Sequence, residues 1–206
     1  MKKIYPILFA LTVLLACQTE EEKQKSALVK AYTQVGDRIT KQSFASLSGR
    51  LKAAMKQSGP IYAIQFCNMQ ALPLTDSLSK AFQVKIKRTS LRLRNEQNTP
   101  DSLELYMLGL YEQIEKMRKP LVSKAMITHD QRLRYFAPIR LKPQCLQCHG
   151  TVGREVADSV YAVIKEKYPN DKATGFQVGQ LRGMWSLDFG PVDQLTMTDL
   201  PGDDEE

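Results

Sequence analysis

Apolar residues recur at helical spacing from residue 27 onward: Leu28, Ala31, Tyr32, Val35 and Ile39, then Phe44, Leu47, Leu51 and Met55. A stripe of this period predicts a long amphipathic helix, loosened near Gly36. It should stop at Ser58-Gly59-Pro60, where glycine suits a helix end and proline the first turn of the next helix. Ile61, Ile64, Cys67 and Ala71 form the stripe of that next helix, which Pro73 should break, leaving a short helical piece over residues 74–82. The period then changes. Over residues 83–90, Val84 and Ile86 alternate with Lys85 and Lys87, the pattern of a strand with one buried face. Residues 91–99 read as a basic, Asn-rich loop. Pro100-Asp101 opens a helix with Leu103, Tyr106, Leu110, Ile114 and Met117 as its apolar positions, ended at Lys119-Pro120. Residues 121–128 and 131–138 read as two strands around a turn at His129-Asp130. A helix is expected within 150–168, carrying Val156, Val160, Val163 and Ile164, and a closing strand over 181–189. This order predicts one α+β domain built on an antiparallel sheet with helices at one side.

The two ends read differently. Met1-Lys2-Lys3 followed by an apolar run from Ile4 to Ala16 is a basic n-region and an h-region too short to span a bilayer, the pattern of an export signal. Leu14-Leu15-Ala16-Cys17 resembles the lipobox of bacterial lipoproteins, which implies that residues 1–16 are removed and that Cys17 carries the lipid. Gln18 after that cysteine, by analogy with sorting in Gram-negative bacteria, favours the outer membrane facing the periplasm. Thr19-Glu20-Glu21-Glu22 resembles surface-export signals of some bacterial lipoproteins, so the cell surface stays open. Residues 17–26 would be a flexible lipidated tether, 27–190 the domain, and 191–206 a tail ending in the acidic residues 201–206.

Charge adds little. The formal net charge is +7 over 206 residues, and Lys2 and Lys3 account for two of it. No basic run or recognition motif accompanies the excess, so nucleic acid is not an expected partner. A chain of this length supports one domain with a real core.

Chemistry concentrates in Cys145-Leu146-Gln147-Cys148-His149-Gly150. Two cysteines three apart and an immediate histidine form the attachment pattern of a c-type haem. Each thiolate adds across one porphyrin vinyl group, and the imidazole of His149 reaches the iron from one face. A thioredoxin-type pair would not need His149 and favours a βαβ setting; a zinc site wants four Cys and His ligands. Export and haem attachment support each other, because this attachment happens outside the cytoplasm. With Cys17 for lipid and Cys145 and Cys148 for haem, Cys67 is left over.

The motifs together carry a resemblance. Ala63-Ile64-Gln65-Phe66-Cys67, Arg92-Leu93-Arg94-Asn95 with Asn98-Thr99-Pro100-Asp101, Tyr135-Phe136-Ala137-Pro138-Ile139, the Cys-x-x-Cys-His stretch, and Tyr168-Pro169-Asn170-Asp171-Lys172-Ala173-Thr174-Gly175 resemble the Tll0287-like haem domains, formerly a domain of unknown function. They fall in that family's order from about residue 27 to 190. The resemblance implies a PAS-like α+β fold, an antiparallel sheet flanked by helices with a long N-terminal helix. It further implies one covalent haem c, with His149 on one face of the iron and Cys67 on the other. Arg94-Asn95-Glu96 departs from the family's Asn-Pro at that point.

Other ligands compete on paper. His129, the second histidine, lies in a turn where solvation is the common outcome. The methionines fall mostly at core spacing, where Met is packing filler, and Cys67 has the same bland reading as a small buried hydrophobe. Arg88, Arg92 and Arg94 are candidates to grip haem propionates, since arginine takes carboxylates in two-pronged fashion. Trp185 and Phe189 read as core or pocket lining. Nothing resembles a catalytic triad, paired carboxylates or a phosphate loop, so no enzymatic activity is expected. The expected role is a membrane-anchored haem-based sensor of redox state or of a small ligand, working with a separate redox or signalling partner. The alternatives are a one-electron carrier and, third, a peroxidase-like haem enzyme.

Overall fold

The computed structural model describes residues 5–198 and 200, with side chains from residue 20 onward. Residues 1–4 and the acidic residues 201–206 lie outside the described residues, and the side chains of the rest of the export signal and of Cys17 lie outside them as well. Helix α1 runs Tyr5–Ala81 and has one break, at Ser58 (φ −152°) and Gly59 (φ 72°). A positive φ is open to glycine at little cost, and Pro60 restarts the helix where its missing N–H is not needed. Two expectations fail here. Pro73 does not end the second segment, which continues to Ala81. Leu78 and Phe82 pack on the core, and the Ser79 hydroxyl accepts the Ile86 N–H at 3.0 Å, so tertiary contacts outweigh the roughly 3 kcal/mol that proline costs inside a helix. The stretch expected as a flexible tether is helical as well. Gly36 does not loosen α1 either. A Cβ there would lie 2.4 Å from the Tyr135 ring, so glycine is what lets α1 press onto the sheet.

Four strands, β1 Lys85–Thr89, β2 Lys124–Ile127, β3 Arg132–Arg140 and β4 Leu181–Pro191, form one antiparallel sheet in the order β1-β4-β3-β2. Pro138 is tolerated in β3 because β2 reaches only to Phe136, so no neighbour on that side needs its N–H. Helices cover both faces of this sheet rather than one. Leu28, Tyr32, Val35 and Ile39 of α1 pack on Ile86, Leu133, Tyr135, Trp185, Leu187 and Phe189. On the other face, α2 Ser102–Lys116 sets Met107, Leu108 and Tyr111 against Phe136 and Met184. Its buried stripe is therefore 104-107-108-111, while Tyr106 and Met117, predicted as inward, are exposed.

The short helix α3 Leu146–His149 and helix α4 Asp158–Lys167 complete the chain, with residues 150–157 forming turns where helix was expected. Ile64 of α1 meets Val156, Val160 and Ile164. Residues beyond 190 that are described, Val192, Leu195 and Leu200, pack onto the main core.

Candidate functional site

Three stretches far apart in sequence meet at one end of the sheet: residues 91–94 after β1, the Cys-x-x-Cys-His turn, and the loop 171–176 before β4. The turn forms because Pro143 starts a 3-10 turn, Pro143–Cys145, that runs straight into α3. Gly150 closes it. A Cβ there would lie 2.6 Å from Glu155 Cβ and 2.7 Å from the Leu146 carbonyl, so only glycine fits. The loop is bound to the turn by Gly175 N–H donating to the Gly150 carbonyl (2.7 Å) and Phe176 N–H to the His149 carbonyl (2.9 Å).

These bonds fix the imidazole. His149 Nδ1 lies 2.6 Å from the Ala173 carbonyl oxygen, which can only accept, so Nδ1 carries the hydrogen and the Nε2 lone pair is free. Burial, then the Arg182 and Arg94 guanidiniums, hold the ring far below the usual histidine range, so it is neutral at pH 7. A neutral imidazole whose Nδ1–H is tied to a backbone carbonyl is the form in which histidine ligates a metal.

Three free, half-buried thiols, Cys67, Cys145 and Cys148, lie at this end of the fold, and Cys148 is close enough to the other two to interact with both. Cys148 packs in the cluster that includes Ile64, one helical turn before Cys67 on α1. Burial raises the Cys67 thiol, and Arg88 and Arg94 pull it partly back, which keeps its proton in place at neutral pH. Burial raises the Cys148 thiol too, against Arg94 and with Cys67 and Cys145 adding to the rise. The structure thus brings Cys67 to the same site as the motif.

The arginines divide into two kinds. Arg94 donates from Nε to Asp171 Oδ1 (3.0 Å) and from Nη2 to the Cys148 carbonyl (2.7 Å). Arg92 donates from Nε to the Lys172 carbonyl (3.0 Å), bonds the Thr174 carbonyl through Nη2, and lies 3.9 Å over the Phe176 ring. Both are used up in building the loop. Arg88 lies 5.7 Å over Trp185, and Arg182 lies 5.5 Å over Phe176 with Nη1 on the Arg92 carbonyl (3.0 Å). Neither has an ion pair among the described residues, and the Nε of each is buried with no acceptor. Burial and the Arg94, Arg92 and Arg88 charges push Arg182 down to about 9, with Asp171 opposing, so it stays a cation at neutral pH.

The remaining candidates fall elsewhere. His129 is exposed in the β2–β3 turn. Met107 and Met184 are core residues under α2, and Met69, Met117 and Met197 are exposed. Phe189 packs edge-on to Tyr32 (4.9 Å between centroids), within the α1-side core. No βαβ unit surrounds the cysteines, since every strand pairing is antiparallel. Among the described residues no three His, Cys, Asp or Glu side chains converge as in a zinc site. Sequence reasoning missed Arg182. An arginine at the start of the largely apolar stretch 181–189, which also holds Ser186 and Asp188, is the signal that points to it.

A four-stranded antiparallel sheet between helices, with a Cys-x-x-Cys-His turn, a helix-borne cysteine and arginines gathered at one end, defines the class. The chain belongs to the Tll0287-like family, whose model matches residues 15–189. Among solved structures it is similar to the crystal structure of the cyanobacterial heme-protein Tll0287, at 25% identity and a TM-score of 0.52, over 86% of this chain and 98% of that one. No curated protein matches.

Proposed function

We propose that this chain carries one haem, which Cys145 and Cys148 would hold through thioethers and whose iron His149 and Cys67 would ligate. Its proposed role is sensing of redox state or of a small ligand by an exported protein held to the membrane through lipid on Cys17. The observation that carries the reading is the state of His149: neutral, tied through Nδ1–H to the Ala173 carbonyl, and free at Nε2 beside two thiols. The similarity to a protein described as a heme-protein adds to it. When bound, a haem supplies a one-electron couple and an iron site for small ligands.

The chain's own residues do the rest. The Ala173 carbonyl orients the His149 ring and fixes its tautomer. Arg94 joins the motif to Asp171, holding the two walls of the site together. Burial keeps the proton on Cys67 in the chain alone, so ligation there would release that proton. The segment of α1 that bears Cys67 is joined to the rest of the helix through the Ser58-Gly59 break, so a change at the sulfur acts on a segment already separated from its neighbour. This favours sensing over plain electron transfer.

The test uses the full chain, expressed with its signal in a host that matures cytochromes c. Wild type should give a haem-stained band after denaturing electrophoresis, in the membrane fraction, and Cys145→Ala with Cys148→Ala should lose the stain completely. Reduced wild type should then bind carbon monoxide. A stain that persists in the double variant, or is absent from wild type, overturns the haem reading. A reduced protein that refuses carbon monoxide returns the role to electron carriage.

A further inference from the structure

Four guanidiniums gather at the site, and among the described residues the ion pair they make is Arg94–Asp171, with Glu112 and Glu115 lining the cavity beside Arg92 and Arg182. Asp171 is paired with Arg94 (3.0 Å), and Arg92 is exposed and bonded to two loop carbonyls. Of the positive charge that remains, the part on Arg92 is exposed to solvent, and the half-buried part sits on Arg88 and Arg182. These two come from different strands, β1 and β4, and each stacks near an aromatic ring, Trp185 and Phe176 respectively. The backbone around them is drawn tight: a Cβ on Gly183, the neighbour of Arg182, would lie 2.3 Å from the Thr89 carbonyl, next to Arg88. Each guanidinium lies within cation–π distance of its ring, and the buried Nε–H of each has no acceptor. A buried cation without a counter-charge is costly and is retained where something else supplies the charge.

We propose that Arg88 and Arg182 are the carboxylate-binding pair of the site, each taking one propionate of the bound tetrapyrrole, and that Arg92 and Arg94 are positioning residues that shape the loop. This rests on the haem reading above, and it reassigns the arginines predicted for the propionates: one is kept, two become structural, and Arg182 is added.

The test compares haem-bearing wild type with Arg88→Gln, Arg182→Gln, Arg92→Gln and Arg94→Gln, following the midpoint potential of the covalently held haem against pH. The charged and titratable groups around Arg88 and Arg182 are Arg92, Arg94, Asp171, Tyr168, Cys67 and His149, with Glu112 and Glu115 on the cavity wall beside Arg182. A guanidinium holds a buried carboxylate ionised well below its ordinary value, so in wild type the propionates should add no slope of their own from about pH 5 to 8. A profile counts as flat once the slope that Cys67→Ser removes has been subtracted. Without its guanidinium the buried carboxylate rises into that range. The potential of Arg88→Gln and of Arg182→Gln should then fall as pH rises through it, because a new negative charge favours ferric iron. Arg88→Lys and Arg182→Lys should restore the flat profile. Arg92→Gln and Arg94→Gln should lower the haem-to-protein ratio and leave the surviving haem flat. Flat profiles in both Arg88→Gln and Arg182→Gln, with haem in place, would overturn the pair while leaving the haem reading intact. Wild type without covalent haem would overturn both.

Discussion

Two groups of charge are enclosed by this fold, and they are built on opposite terms. Under α2, Glu104 accepts from Lys87 Nζ (2.7 Å), lies 3.5 Å from Arg134 Nη2, and takes the Asp101 N–H (2.8 Å), while Asp101 meets the same Arg134 at 3.1 Å. Two cations meet two carboxylates. At the cysteine–histidine end, Asp171 pairs with Arg94, and among the described residues Arg88, Arg92 and Arg182 make no ion pair, although Glu112 and Glu115 line the cavity beside Arg92 and Arg182. An idle Nε is not what separates them, since Arg134 leaves its Nε unbonded too. The difference is counter-charge. The first group closes on itself and starts α2; the second stays open, which marks it as made for something the chain does not contain.

The largest effect on the closed side should come from Glu104→Gln. The substitution keeps the shape, removes the charge, and leaves Lys87 and Arg134 short of a partner in a place that is 1% exposed. Breaking a buried pair from one side costs about 3–5 kcal/mol, read as a lower midpoint in denaturant unfolding at unchanged slope. Pairing Glu104→Gln with Lys87→Met should recover part of the loss, as both ends of one contact are then gone. A midpoint equal to wild type would put the two clusters on the same footing.

Much of this was legible in the chain itself, and the parts that were not have physical reasons. The strands, the Asp101 helix start and the break at Ser58-Gly59 follow from periodicity, capping and turn chemistry. Pro73 was misread because local propensity knows nothing of Leu78, Phe82 and Ser79 docking on the sheet. The buried face of α2 was misread because two apolar stripes overlap there, and the true one contains a glutamate, a residue type rarely buried unless paired. The second layer of helix was missed for a related reason: Tyr135 and Phe136 point to opposite faces, and an alternating pattern with both phases apolar implies cover on both sides. At the site, the Cys-x-x-Cys-His stretch announces itself. Arg182 does not, since only folding brings it to Arg88 and the 91–94 loop.

On the open side, Cys67→Ser should change the iron more than the fold. A thiolate donates charge and favours ferric iron, and the serine hydroxyl does not replace it. The variant is expected to have a higher potential than wild type and a different ferric spectrum, and to bind carbon monoxide at least as readily. Identical spectra and potentials would remove Cys67 from the iron and leave its rise in pKa as simple burial.

The smallest expected effect tests the closed side at its edge. Asp101 caps α2, its side chain accepting the Glu104 N–H at 2.8 Å, and it is about half exposed. Burial raises its carboxyl, but the Glu104 N–H, Arg134 and Lys87 together bring it below its ordinary value of 3.8. A depressed folded value means that the carboxylate stabilises the fold above the unfolded value and stops doing so as pH falls through the folded one. The window is therefore acid, below about pH 4, and neutral solution holds the contribution in full. Asparagine caps a helix about as well as aspartate, so Asp101→Asn removes the charge and keeps the cap. The variant should be slightly less stable than wild type at pH 7, by no more than an exposed ion pair is worth. The two unfolding free energies should converge as pH drops toward about 3. Asp101→Ala should instead stay below Asp101→Asn at every pH, by about 1 kcal/mol, because the lost cap does not titrate. A gap between wild type and Asp101→Asn that persists in acid would show that Arg134 and Lys87 answer to Glu104 alone, and that the closed cluster needs one carboxylate rather than two.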